Sequence, residues 1–123
     1  MSKKYSINWL ETTKQSNYEA AEAYLRLLFN PDYTARLIYY LKVAPIIEAQ
    51  AKDIFRASEL PLLDVTNEYV EKDIQKVKVG VELSPILLVR DEVNRKLIIA
   101  DGYHRLCAIY HFEENVLIKA KLV

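Results

Sequence analysis

Pro85-Ile86-Leu87-Leu88-Val89 and, beyond a polar turn, Leu97-Ile98-Ile99-Ala100-Asp101-Gly102-Tyr103-His104-Arg105 decide the fold. The first run is apolar at every position, so it predicts a strand covered on both faces. Residues 91–95 are polar and predict a turn. Residues 96–100 then predict a second buried strand. Asp101-Gly102 breaks it, and an apolar helix is expected over 103–112. A strand that turns sharply into a helix leaves backbone N–H groups without partners, and with the helix dipole they form a site for an anion. Asp101 adds a carboxylate to that turn, His104 a titratable ring and Arg105 a permanent cation. No other stretch of the chain gathers as much chemistry in five residues.

The elements around this centre follow from periodicity. Residues 116–123 alternate, with Val116, Ile118, Ala120 and Leu122 against Lys119 and Lys121, and predict a closing strand. Upstream, a helix is expected over about 67–79, with Val70, Ile74 and Val77 on one face and Gly80 ending it. Leu62, Leu63 and Val65 suggest a short strand. The first half reads as three helices. Asn17 is the expected cap of a helix over 18–29, Asn30-Pro31-Asp32 starts the next, and a third is expected over 47–57 with Ala51, Ile54 and Phe55 inward. The predicted class is α+β: one small mixed sheet with an N-terminal helical extension. The 123 residues form a single domain, with 1–58 as the helical part and 59–123 as the sheet part.

Composition narrows the function classes. Seventeen basic residues offset seventeen acidic ones, whereas proteins that wrap nucleic acid nonspecifically usually carry a basic excess. Nucleic acid is therefore the less favoured partner. The single cysteine, Cys107, excludes an intrachain disulfide and fits a reducing compartment. The start, Met-Ser-Lys-Lys-Tyr-Ser, has no apolar run behind its charges, and nothing approaches the about 20 apolar residues of a membrane span. The expected location is cytoplasmic, with no membrane partner. The composition does not address the oligomeric state.

The two strands and the Gly102-Tyr103-His104-Arg105 turn resemble the ParB/sulfiredoxin-like superfamily, often labelled ParB-like nuclease domains. Gly80 to Ile86 is similar to that family's Gly-x-x-x-Pro-Ile lead-in, at slightly longer spacing, and the likeness covers about residues 60–123. Sulfiredoxins look like Gly-Gly-Cys-His-Arg at the turn. Here Tyr103 stands where their cysteine attacks, and Cys107 lies a helical turn further on, so thiol chemistry is not expected. Partition-type members look like Gly-Glu-Arg-Arg, bind CTP, and continue into a helix-turn-helix domain that is not expected here. Free serine kinases of this fold look like Asp-Gly-His-x-Arg, which is near Asp101-Gly102-Tyr103-His104-Arg105.

The resemblance implies a domain that binds a nucleotide (ATP, ADP or CTP) with Mg²⁺ and hydrolyses or transfers a phosphoryl group. Gly102, Tyr103, His104 and Arg105 would hold the phosphate, with Ser84 as a further contact. Asp101 would hold Mg²⁺, orient Arg105 or act as base. Glu68 lies near where the kinase branch keeps its base, with Asp64 and Glu82 as competitors. The alternative is a noncatalytic DNA- or protein-binding module related to chromosome partitioning proteins. Each residue also has a plainer role: Asp101 as a helix cap, Arg105 paired to Asp101 or Glu113, and His104 as a solvated helix residue. His111 would be a late-helix cation, Ser84 the start of a strand, and Lys72, Lys76 and Lys78 a solvated face.

Overall fold

The computed structural model describes residues 5–123. The reading of the N-terminal start as lacking a leader falls partly on residues 1–4, outside the described residues. Among the described residues no helix is long and apolar enough to cross a membrane.

The described residues form an α+β fold of five helices and four strands. In order these are α1 (Gln15–Leu25), α2 (Pro31–Val43), β1 (Ile47–Gln50), α3 (Ala51–Ser58), α4 (Glu68–Lys78), β2 (Ile86–Asp91), β3 (Lys96–Asp101), α5 (Tyr103–Phe112) and β4 (Leu117–Leu122). The sheet is mixed and runs β1-β4-β2-β3. β4 is antiparallel to β1 and parallel to β2, and β2 is antiparallel to β3.

Both faces of β2 and β3 are covered, as their apolar runs require. Ile86 and Leu88 of β2 join Ile99, Ile118 and Ala120 in a core closed by Ile54 of α3 and Leu106 and Ile109 of α5. Leu87 and Val89 point the other way. With Ile98 and Ala100 they pack against Tyr18, Ala21 and Leu25 of α1 and Leu37, Ile38 and Leu41 of α2. α4 lies outside α5, through Val70, Ile74, Cys107 and Ala108.

Three expectations are corrected. Residues 47–50 form strand β1 rather than the start of a helix, with Ile47 opposite Ala120 and Ala49 opposite Ile118. Pairing to the free edge of β4 overrides the helical preference of Glu48, Ala49 and Gln50. α3 survives as a shorter helix whose first N–H groups, on Ala51 and Lys52, bond to the carbonyls of Val116 and Glu114. A strand from the helical first half thus belongs to the sheet of the second half.

Residues 62–65 form a loop rather than a strand. α5 side chains hold it and the residue before it: the Tyr103 hydroxyl donates to the Pro61 carbonyl, and the His111 ring bonds to that of Leu63 at 2.8 Å. Asn17, in turn, does not cap α1. The helix begins at Gln15, and the Lys14 N–H donates to Ser84 Oγ at 3.1 Å. This ties the start of α1 to the lead-in of β2. Thr13 reinforces the tie through the Pro85 carbonyl, and Trp9 bridges Leu83 in parallel pairing.

Other signals hold. Asn30 caps α2 by accepting from the Tyr33 N–H, with Pro31 at the first position. Asn67 caps α4 through the N–H groups of Tyr69 and Val70. Gly80, at φ +81°, ends α4.

The alternation of β4 leaves Lys121 on the α1/α2 face, where it is 8 % exposed. Its ammonium donates to the Lys42 carbonyl at 2.8 Å, satisfying one of the last-turn acceptors of α2, and sits 5.8 Å from the centre of the Tyr18 ring. Lys121→Ala should lower unfolding free energy in urea by about 1–3 kcal/mol, because the Lys42 carbonyl loses its partner. Lys121→Met should recover only the packing part. An unchanged midpoint in both variants would contradict this role.

Candidate functional site

The turn from β3 into α5 is shaped by two local constraints. The first is a register shift between Leu87 and Leu88: Leu87 faces Asp101, whereas Leu88 faces Ile99. The extra residue on β3 is a β-bulge, a device that re-aims the side chains beside it. The second is Gly102, at φ +108°, where an added Cβ would lie 2.4 Å from Ile86 Cγ2. Neither the backbone angle nor the space admits a side chain.

Asp101 does not cap α5, which has no side-chain cap. Its Oδ2 instead accepts from Arg105 Nη2 at 2.8 Å, with side-chain exposures of 12 % and 14 %. A buried ion pair is weak evidence for stability but fixes geometry well. Arg105 Nε is buried and makes no hydrogen bond. The first backbone bond of α5 runs from the Leu106 N–H to the Gly102 carbonyl. The N–H groups of Tyr103, His104 and Arg105 precede it and have no acceptor in the helix.

These three residues line a cleft of about 230 Å³, whose other wall is α4. Tyr69, Lys72, Asp73 and Lys76 line it, spaced one helical face apart, opposite Asp101, Gly102, Tyr103, His104 and Arg105. Asp73 Oδ1 lies 3.7 Å from Lys76 Nζ, and the Asp73 side chain is only 13 % exposed. The His104 ring sits 5.1 Å from that of Tyr69 and 5.7 Å from that of Tyr103, centre to centre. Lys72, Lys76 and Arg105 outnumber the two carboxylates, and the α5 dipole adds to the positive side. An anion fits this balance.

The structure thus brings together Asp101, Gly102, Tyr103, His104 and Arg105. It does not bring Glu68, which is exposed at the first turn of α4 and lines no part of the cleft. Asp64 is also elsewhere, accepting from the Thr66 N–H within its loop. Ser84 is buried beside an adjoining cavity, which shares Asp73, Lys76 and Arg105 with this cleft and has Glu82 among its lining residues. The carboxylate that sequence reasoning missed is Asp73. Its signal was the 69-72-73-76 spacing, and it was obscured because Lys72 and Lys76 read together with Lys78 as a solvated face. Among the described residues no group of three or more His, Cys, Asp or Glu could hold a metal ion by itself. A divalent ion here would need phosphate oxygens and water to complete its shell around Asp101 or Asp73.

Cys107 is fully buried one turn below the cleft, against Val70, Ile74 and Ala108. Burial pushes its thiol up, and burial with Cys107 nearby does the same to the Tyr103 phenol. Comparison with protein-family models, curated proteins and solved structures gives no match to this chain.

Two outcomes follow. Gly102→Ala should destabilise the fold by at least about 1–3 kcal/mol in chemical denaturation, through overpacking against Ile86 and the left-handed φ; wild-type stability would contradict the geometry. Native Cys107 should resist a thiol–disulfide reagent at mildly alkaline pH and react once urea unfolds the chain. Because its folded value is raised, the unfolded chain releases this proton first, so its contribution to stability falls as pH rises above the ordinary thiol range. Rapid native reaction would contradict the burial.

Proposed function

We propose that the cleft between α4 and the start of α5 binds the phosphate of a nucleotide together with Mg²⁺. One observation carries this reading. Three unpartnered N–H groups, His104, Lys72, Lys76 and an arginine braced by Asp101 all converge on one cleft. Arg105 is suited to grip a phosphate in two-point contact, with Asp101 holding the guanidinium in place. The lysines neutralise charge as mobile point cations. The volume suits phosphate groups rather than a whole nucleotide, so the nucleoside would lie across the rim, where Tyr69 offers an exposed ring. The resemblance of Asp101-Gly102-Tyr103-His104-Arg105 to the phosphate turn of ParB/sulfiredoxin-like proteins supports the same ligand class.

Phosphoryl transfer or hydrolysis is the reaction this set could support, since such chemistry needs mainly positioning and charge neutralisation. Asp101 and Asp73 are the carboxylates available to hold Mg²⁺ or to take a proton from an attacking hydroxyl. Asp73 takes the place that Glu68 held in the sequence expectation. The alternative of a noncatalytic DNA- or protein-docking module draws on the exposed tyrosines of α1 and α2, of which Tyr24 and Tyr33 line two separate clefts.

Thermal denaturation with ATP, ADP, CTP or GTP, each with and without Mg²⁺, tests this reading. At 100 times its dissociation constant a ligand adds about 2.7 kcal/mol, a rise in Tm on the order of 10 °C for a domain of this size. Arg105→Ala should abolish the rise, and Glu68→Gln should leave it unchanged. Where phosphate release accompanies binding, Asp101→Asn should slow it by at least about tenfold. No rise with any nucleotide would overturn the proposal.

A further inference from the structure

β3 is an edge strand of the sheet, with β2 as its one neighbour. Two bonds fix which way the backbone groups of β2 turn. The Arg90 N–H donates to the Val123 carbonyl at 2.7 Å, and the Leu88 carbonyl accepts from the Val123 N–H at 3.2 Å. Leu88 and Arg90 therefore turn toward β4 and Val123, and Val89 and Asp91 turn toward β3. Their partners there are Ile98 and Lys96, whose N–H and C=O groups point inward. Those of Leu97 and Ile99 alternate with them and point outward. Among the described residues no hydrogen bond takes these four groups.

A cleft of about 460 Å³ lies on this edge. Leu97, Ile98 and Ile99 all line it, although Ile98 belongs to the core under α1 and Ile99 to the core on the opposite face. A cleft that reaches both must meet β3 along its free edge. Tyr24 and Leu28 flank it from the α1 side and Leu60 from beyond α3, and the three are 44 %, 48 % and 39 % exposed. Unpaired main-chain groups between apolar walls are what a further strand needs.

The edge is its own complement. Two copies of β3 set antiparallel, with Ile98 opposite Ile98, place Leu97 of each opposite Ile99 of the other. These are the two positions whose groups point outward, so each pair exchanges both bonds and no outward group is left over. The register also keeps apolar side chains opposite apolar ones on both faces. Charge selects the direction. The strand is entered by Arg95 and Lys96, both exposed, and left by Asp101. Antiparallel pairing brings the basic start of each copy to the acidic end of the other, whereas parallel pairing would set like charges side by side.

We infer that β3 pairs with β3 of a second copy of this chain, forming a twofold dimer whose two sheets run on as one. Analytical ultracentrifugation of the full chain tests this, with amide hydrogen exchange measured on the same samples. A species of twice the 14.3 kDa chain mass should grow as concentration rises into the millimolar range. Exchange at the Leu97 and Ile99 amides should slow with it, by at least about tenfold at saturation. Leu97→Pro removes an N–H that has no partner within the chain, a change that edge strands tolerate, and should weaken association by at least about tenfold. The exchange measurement decides on the wild-type chain alone, whatever the variant's stability. A dimer with unchanged exchange at both amides would place the interface elsewhere and overturn the inference, as would a folded Leu97→Pro variant that associates as tightly as wild type. A wild-type chain that stays monomeric throughout would leave the edge to an unrelated strand and overturn it equally.

Discussion

The molecule turns on the packing of Gly102 against Ile86. β3 must pass into α5 within one residue, and the left-handed backbone at Gly102 makes that possible only because the space above Ile86 is free of a side chain. The same closeness brings the first turn of α5 down onto the sheet. It sets Leu106 and Ile109 into the core shared with Ile54, Leu88 and Ile118. It also sets the guanidinium of Arg105 over the carboxylate that ends β3. Core packing and the position of the cation are two consequences of one backbone constraint.

The Asp101–Arg105 pair then acts as a brace more than as a source of stability. Both groups are largely withdrawn from water, and their mutual attraction is offset by lost hydration. What the pair secures is the direction of a side chain that would otherwise lose rotamer freedom on meeting a ligand. A guanidinium held in place before binding avoids that entropy cost. The β-bulge opposite Leu87 contributes to the same end by turning Asp101 toward the helix.

The centre of the fold was legible in the sequence because its signals are local. The all-apolar run of β2, the Asp101-Gly102 break and the apolar helix after it each depend on adjacent residues. So did the helix start at Asn30-Pro31-Asp32 and the stop at Gly80. The misread elements depend on distant partners. Ile47–Gln50 is a strand only because β4 offers an edge, and residues 62–65 are a loop tied to α5 by Tyr103 at the Pro61 carbonyl and His111 at that of Leu63. Asn17 looked like a cap because the true start of α1 is marked by a bond from the Lys14 N–H to Ser84, far along the chain. The site divides the same way. The 101–105 half could be read from one pentapeptide. The α4 half could not, because Asp73 and Lys76 acquire meaning only when α4 lies beside α5.

The central claim is that the start of α5 is an anion site organised around Arg105. Its most direct test is a titration of ¹⁵N-labelled protein with inorganic pyrophosphate, followed by amide resonances. The amides of Tyr103, His104 and Arg105 should shift together and saturate, while those of the β2–β3 hairpin turn stay in place. Saturation with no movement at these three amides, or movement confined to another part of the surface, would contradict the account.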